Sequence, residues 1–112
     1  MLNDAAKINL QRIKRALENK WGDDCVIGPL KIIESPYPEF ELPIYLYNKL
    51  EVGIYYDRSC LDIGIKQDGD EYIILTKFTD RPVLRGFESL EGNNLEYNFE
   101  VLDEVAHKLL NL

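Results

Sequence analysis

Histidine, tryptophan and methionine each occur once in the 112 residues, and cysteine occurs twice. Each scarcity removes a class of chemistry. One histidine and two distant cysteines do not make a standard zinc site. His107 follows Asp103 and Glu104 by four and three residues, a spacing that a helix-surface ion pair explains. Pairing it with Cys25 or Cys60 as base and nucleophile has no local support. The seven glycines are isolated, so there is no phosphate-cradling loop. No stretch approaches the roughly 18 apolar residues of a membrane span. Residues 1–22 lack a continuous apolar core with a small-residue cleavage site, so no secretory leader is expected. The expected location is cytoplasmic, with Cys25 and Cys60 as reduced thiols in apolar surroundings. No cofactor, no metal and no enzymatic activity are expected.

Acids are abundant where these groups are scarce. Asp68-Gly69-Asp70-Glu71 concentrates them, but without the ligand spacing of a calcium loop, and a hairpin turn accounts for it. Asp57 and Asp62 flank the Arg58-Ser59 turn and could approach each other as a glycosidase pair would. Such a pair needs a sugar cleft lined by aromatics such as Tyr55 and Tyr72, which a domain this small seldom builds. The net charge is −7, unevenly placed. Residues 1–22 carry five basic side chains against two acidic ones; residues 23–112 carry eight against eighteen, a balance of −10. That field repels phosphate backbones and anionic lipid and attracts cationic proteins. Nucleic acid and membrane are therefore not the expected partners.

The length fits a single domain, residues 1–112, with one hydrophobic core. Ala6, Leu10, Ile13, Leu17 and Trp21 share one face of a helix over 4–21, capped by Asn3 or Asp4 and closed by Gly22, with Arg12 and Arg15 in water. A strand is expected at 30–33. The segment 35–43 holds three prolines and reads as an extended loop or sheet edge. Four β runs follow, at 44–47, 50–57, 60–67 and 71–78, with links short enough for antiparallel hairpins. Leu50, Val52, Ile54 and Tyr56 alternate with Glu51, Gly53, Tyr55 and Asp57, giving a core face and a polar face. A loop over 79–94 leads to a second helix at 99–111, with Asn98 as its cap and Glu100, Asp103, Glu104 and His107 toward solvent. The expected fold is α+β: N-terminal helix, antiparallel sheet of about four strands, C-terminal helix, both helices on one sheet face.

Tyr45, Tyr47, Tyr55 and Tyr56 fall in one twelve-residue window. Tyrosine gives large contact area at low entropy cost and is enriched at interfaces, although strands also favour it. The expected partner-binding set is Tyr45, Tyr47, Glu51, Tyr55, Asp57, Asp62, Asp68, Asp70 and Glu71, with Gly53 and Gly64 letting a partner approach the sheet backbone. In size, acidity and organisation the chain resembles the small immunity proteins made beside bacterial polymorphic toxins, including contact-dependent growth inhibition systems. The resemblance rests on the first helix ending near Trp21, the meander LEVGIYYDRSCLDIGI and the terminal helix VLDEVAHKLL. It implies a cytoplasmic antitoxin, monomer or homodimer, that binds a cognate and often cationic nuclease domain. The alternative is a small acidic secretion chaperone that holds an effector segment.

Overall fold

The computed structural model describes residues 2–33, 36, 39–67 and 69–112. Helix α1 spans Asp4–Trp21. The Asn3 side chain caps it by accepting from the Ala6 N–H at 2.8 Å, and Gly22 closes it at φ 54°, a value that favours glycine. Among the described residues six strands follow: β1 (Cys25–Ile27), β2 (Lys31–Ile33), β3 (Glu39–Leu46), β4 (Leu50–Asp57), β5 (Cys60–Lys66) and β6 (Ile73–Ile74). Helix α2 spans Asn94–Leu110. The sheet is antiparallel throughout, in the order β1, β3, β4, β5, β6, with β2 also paired to β3.

Of the segment 35–43, expected as a loop or edge, residues 35, 37 and 38 lie outside the described residues, and 39–43 belongs to an interior strand. β3 pairs with β4 on one side and with β1 and β2 on the other. Pro43 sits inside it, where a proline normally removes a ladder bond. A strand residue's nitrogen and carbonyl point to the same side. The Pro43 carbonyl accepts from the Gly28 N–H at 2.8 Å, so the proline nitrogen faces the edge strand where Gly28-Pro29-Leu30 interrupts it. The missing donor falls at a break between β1 and β2.

The alternation holds along three strands. Phe40, Leu42, Ile44 and Leu46 of β3, Leu50, Val52, Ile54 and Tyr56 of β4, and Leu61, Ile63 and Ile65 of β5 are buried. They form one cluster with Ala6, Leu10, Ile13, Leu17 and Trp21 of α1 and with Leu95, Phe99, Leu102 and Val105 of α2. Both helices therefore bury their apolar stripes against one sheet face.

Four expectations need correction. Among the described residues the sheet has six strands rather than about four, because β1 and β2 join it; β3 starts at Glu39 rather than at 44, and the run at 71–78 shrinks to the two residues of β6. α2 begins at Asn94, so Asn98 is no cap. It is buried within the helix, where its amide donates to the Leu84 carbonyl (2.8 Å) and accepts from the Leu84 N–H (2.9 Å), fixing the 79–93 segment. Arg12 is not simply in water, because it donates to the carbonyls of Leu90 and Gly92. Asp103 is half-buried and accepts from Trp21 Nε1 (2.8 Å) and the Tyr47 hydroxyl (2.5 Å).

Candidate functional site: the sheet face away from the helices

Odd-numbered residues of β3 and β4 and even-numbered residues of β5 point away from the core. Glu39, Glu41, Pro43 and Tyr45 lie beside Glu51, Gly53, Tyr55 and Asp57, which lie beside Cys60, Asp62, Gly64 and Lys66. Val26, exposed, extends this face next to Tyr45 on β1. The pairing places Tyr55 opposite Asp62 and opposite Glu41, so the aromatic ring stands between two carboxylates. Five of the expected residues, Tyr45, Glu51, Tyr55, Asp57 and Asp62, thus share one surface.

Tyr55, Asp57 and Asp62 also line one shallow groove of about 390 Å3, closed on its far side by Arg85 and Gly86. A smaller hollow of about 170 Å3 lies on the other side of Tyr55 and Asp62, walled by Tyr72 and Ile74. The turn at this end joins Asp57 to Cys60 through Arg58 (φ 50°) and Ser59 (φ 67°). Left-handed conformations cost a non-glycine residue roughly 1–2 kcal/mol each. Asn-Gly would relieve that cost in a two-residue hairpin.

The remaining expected residues lie elsewhere. Tyr47, at φ 56° in the turn after β3, swings toward α2. Its ring meets His107 edge-on (5.5 Å between centroids), and its hydroxyl sits 3.1 Å from His107 Nε2. Asp70 and Glu71 are exposed in the loop before β6. Asp68 lies outside the described residues.

The glycine pair is not open to a partner. Gly53 and Gly64 face each other across β4 and β5, and Tyr72 of this chain lies over both. A Cβ on Gly64 would come within 2.8 Å of the Tyr72 Cβ, and one on Gly53 within 3.0 Å of its ring. The Tyr72 hydroxyl donates to Glu51 (2.6 Å), its ring meets Tyr55 edge-on (5.7 Å), and the Lys66 ammonium sits 4.5 Å from its centroid. The glycines clear a slot for an internal aromatic latch.

Basic side chains temper the acidity of this face. Asp57 pairs with Arg58 (3.0 Å), Asp62 with Arg85 (2.9 Å), Glu51 with Lys66 (3.2 Å) and Glu41 with Lys31 (3.8 Å). Lys66 was readable in advance, because a two-residue turn after Asp57 puts it opposite Glu51. Arg85 comes from an irregular segment and left no signal in the sequence. Among the described residues no cluster of three His, Cys, Asp or Glu side chains could hold a metal ion. Both cysteines are free, and burial pushes the Cys25 thiol up to about 11.

Three phenols are held neutral to high pH. Burial, then the neighbouring carboxylates, pushes Tyr47 up to about 12 beside Asp103 and Tyr55 up to about 12 beside Glu41. Tyr72, partly buried and hydrogen-bonded to Glu51, is raised further. A raised folded-state pKa contributes stability that is complete below the unfolded value of 10.0 and is lost as pH climbs toward 12. The thermal midpoint should fall across that window, and Tyr72→Phe should flatten the fall. The same tyrosine lowers the Glu51 pKa by donating to it, so Glu51 contributes stability above the usual carboxylate range that acid removes.

No helix among the described residues is long and apolar enough to cross a membrane. No protein-family model matches the chain, and no curated protein or solved structure matches it at a significant level.

Proposed function

We propose that the chain is a cytoplasmic binding protein without catalytic chemistry of its own, which holds a cationic protein domain on its helix-free sheet face as an immunity protein holds its toxin. One observation carries this reading. A full sheet face, three strands wide, stands outside the core, with Tyr45 and Tyr55 among carboxylates that are already positioned. Rigid aromatics amid fixed charges suit tight association, because little side-chain freedom is lost on binding. Arg58, Arg85 and Lys66 occupy those carboxylates in the free protein. A partner's lysines and arginines can replace them without leaving a carboxylate unpaired.

A secretion chaperone is the second reading, and a different feature favours it. β2 is an exposed edge strand whose Ile32 and Ile33 are both open to solvent, a place where an extended effector segment could add a strand. Co-expression separates the two. If the chain is an antitoxin, it restores growth to cells making the basic C-terminal domain of the secreted protein encoded beside it, and Tyr45→Ala with Tyr55→Ala abolishes the rescue. Rescue that survives this double substitution removes the face from the account.

A further inference from the structure

The helix layer carries a second surface, on the opposite side of the molecule. Arg12 pairs with Glu96 (3.8 Å) and Lys20 with Asp103 (3.9 Å), so α1 and α2 run side by side in the same direction. Between these two ion pairs lies a groove of about 640 Å3, floored by Ala16 and Phe99. Its walls have opposite signs. Arg15 stands exposed on the α1 wall and Glu100 on the α2 wall.

The segregation extends along both helices. Ile8, Arg12, Arg15 and Asn19 step by four, three and four residues on the side of α1 opposite its buried stripe. Glu96, Glu100 and Glu104 step by four along the exposed side of α2. Ile8, 68% exposed, is a large apolar side chain at the N-terminal end of the α1 stripe. Arg12 and Glu96 already pair with each other and Glu104 pairs with Arg81, so Arg15 on α1 and Glu100 on α2 are the charges this surface presents to a partner.

A second copy of the same chain complements this surface. A two-fold axis parallel to the helices and above the groove sets α1 of each copy against α2 of the other. Each of the two contacts of that dimer then sets the cationic Arg15 against the anionic Glu100. An axis across the helices would set α1 against α1 and α2 against α2, and both contacts would repel. We infer that the protein forms a homodimer through its helix layer, with Arg15 of each copy facing Glu100 of the other. This inference does not depend on what the sheet face binds. It leaves that face free on both outer sides of the dimer.

Sedimentation equilibrium at about 50 µM protein and ordinary salt tests it, because dimer stability depends on chain concentration. The wild type should sediment at twice the 13.0 kDa of one chain. Arg15→Glu and Glu100→Arg should each raise the dimer dissociation constant at least about tenfold by opposing like charges. An equimolar mixture of the two variants should recover the dimer, since one contact then pairs the two reversed charges and the other pairs the two native ones. That recovery also shows that both variants are folded. A wild type at single-chain mass, a dimer that survives either reversal, or a mixture that stays monomeric would overturn the inference.

Discussion

Phe40→Ala should lower folding stability by about 3–5 kcal/mol, a large part of the ~5–15 kcal/mol of a domain this size. Phe40 is fully buried, and its ring stacks on Tyr56 with centroids 4.8 Å apart and planes 8° from parallel. Truncation removes the stacking partner and leaves a cavity beside the ring of Tyr56, whose hydroxyl accepts from Asn9 of α1 at 3.0 Å. The matched control is Tyr55→Ala, one residue along β4 from Tyr56 and on the opposite face. It loses the edge contact with the Tyr72 ring and should cost about 1 kcal/mol. Urea unfolding with an unchanged m-value gives both numbers. A Phe40 loss no larger than the Tyr55 loss would mean that β3 does not cross the core.

Asp57→Lys combined with Asp62→Lys should weaken binding of a cationic partner at least about 100-fold, close to 2.7 kcal/mol. Each carboxylate now neutralises one arginine, Arg58 at 3.0 Å and Arg85 at 2.9 Å. Reversal leaves four cations around the groove beside Tyr55. An approaching basic surface then meets repulsion where it met attraction, and the association rate falls first. Stability should change little. Both ion pairs are solvent-exposed, and such pairs contribute about 0–1 kcal/mol. Affinity of the wild type should drop steeply between low and high salt, and that of the double variant should not. Unchanged affinity in the folded double variant would place the interface elsewhere.

The sequence made the periodic elements legible. α1, its Asn3 cap and its Gly22 stop follow from local chemistry, as do β4 and β5, whose alternation selects one buried face. What local rules missed, tertiary pairing decides. Pro36, Pro38 and Pro43 argued against an interior strand, yet the break at Gly28-Pro29 lies opposite Pro43 and absorbs its missing donor. Asn98 looked like a helix cap because side chains of its type serve that role. It is instead a buried clamp on Leu84, fourteen residues away. The candidate site divided along the same line. Strand alternation placed Tyr45, Glu51, Tyr55, Asp57 and Asp62 on one surface. Tyr47 left it because the turn backbone enters the left-handed region, and the Gly53–Gly64 slot proved to be filled by Tyr72, which lies just before the two-residue β6 where a strand over 71–78 was expected.

The central claim is that the sheet face, not the helix layer, meets the partner. Backbone amide shifts of the 15N-labelled chain, followed while the proposed cationic partner domain is titrated in, test it most directly. The account predicts the largest changes at Tyr45, Glu51, Tyr55, Asp57 and Asp62 and at Tyr72, whose latch over Gly53 and Gly64 any occupant must press or displace. Changes confined to Ile8, Arg15, Glu96 and Glu100, with the sheet residues unmoved, would contradict it.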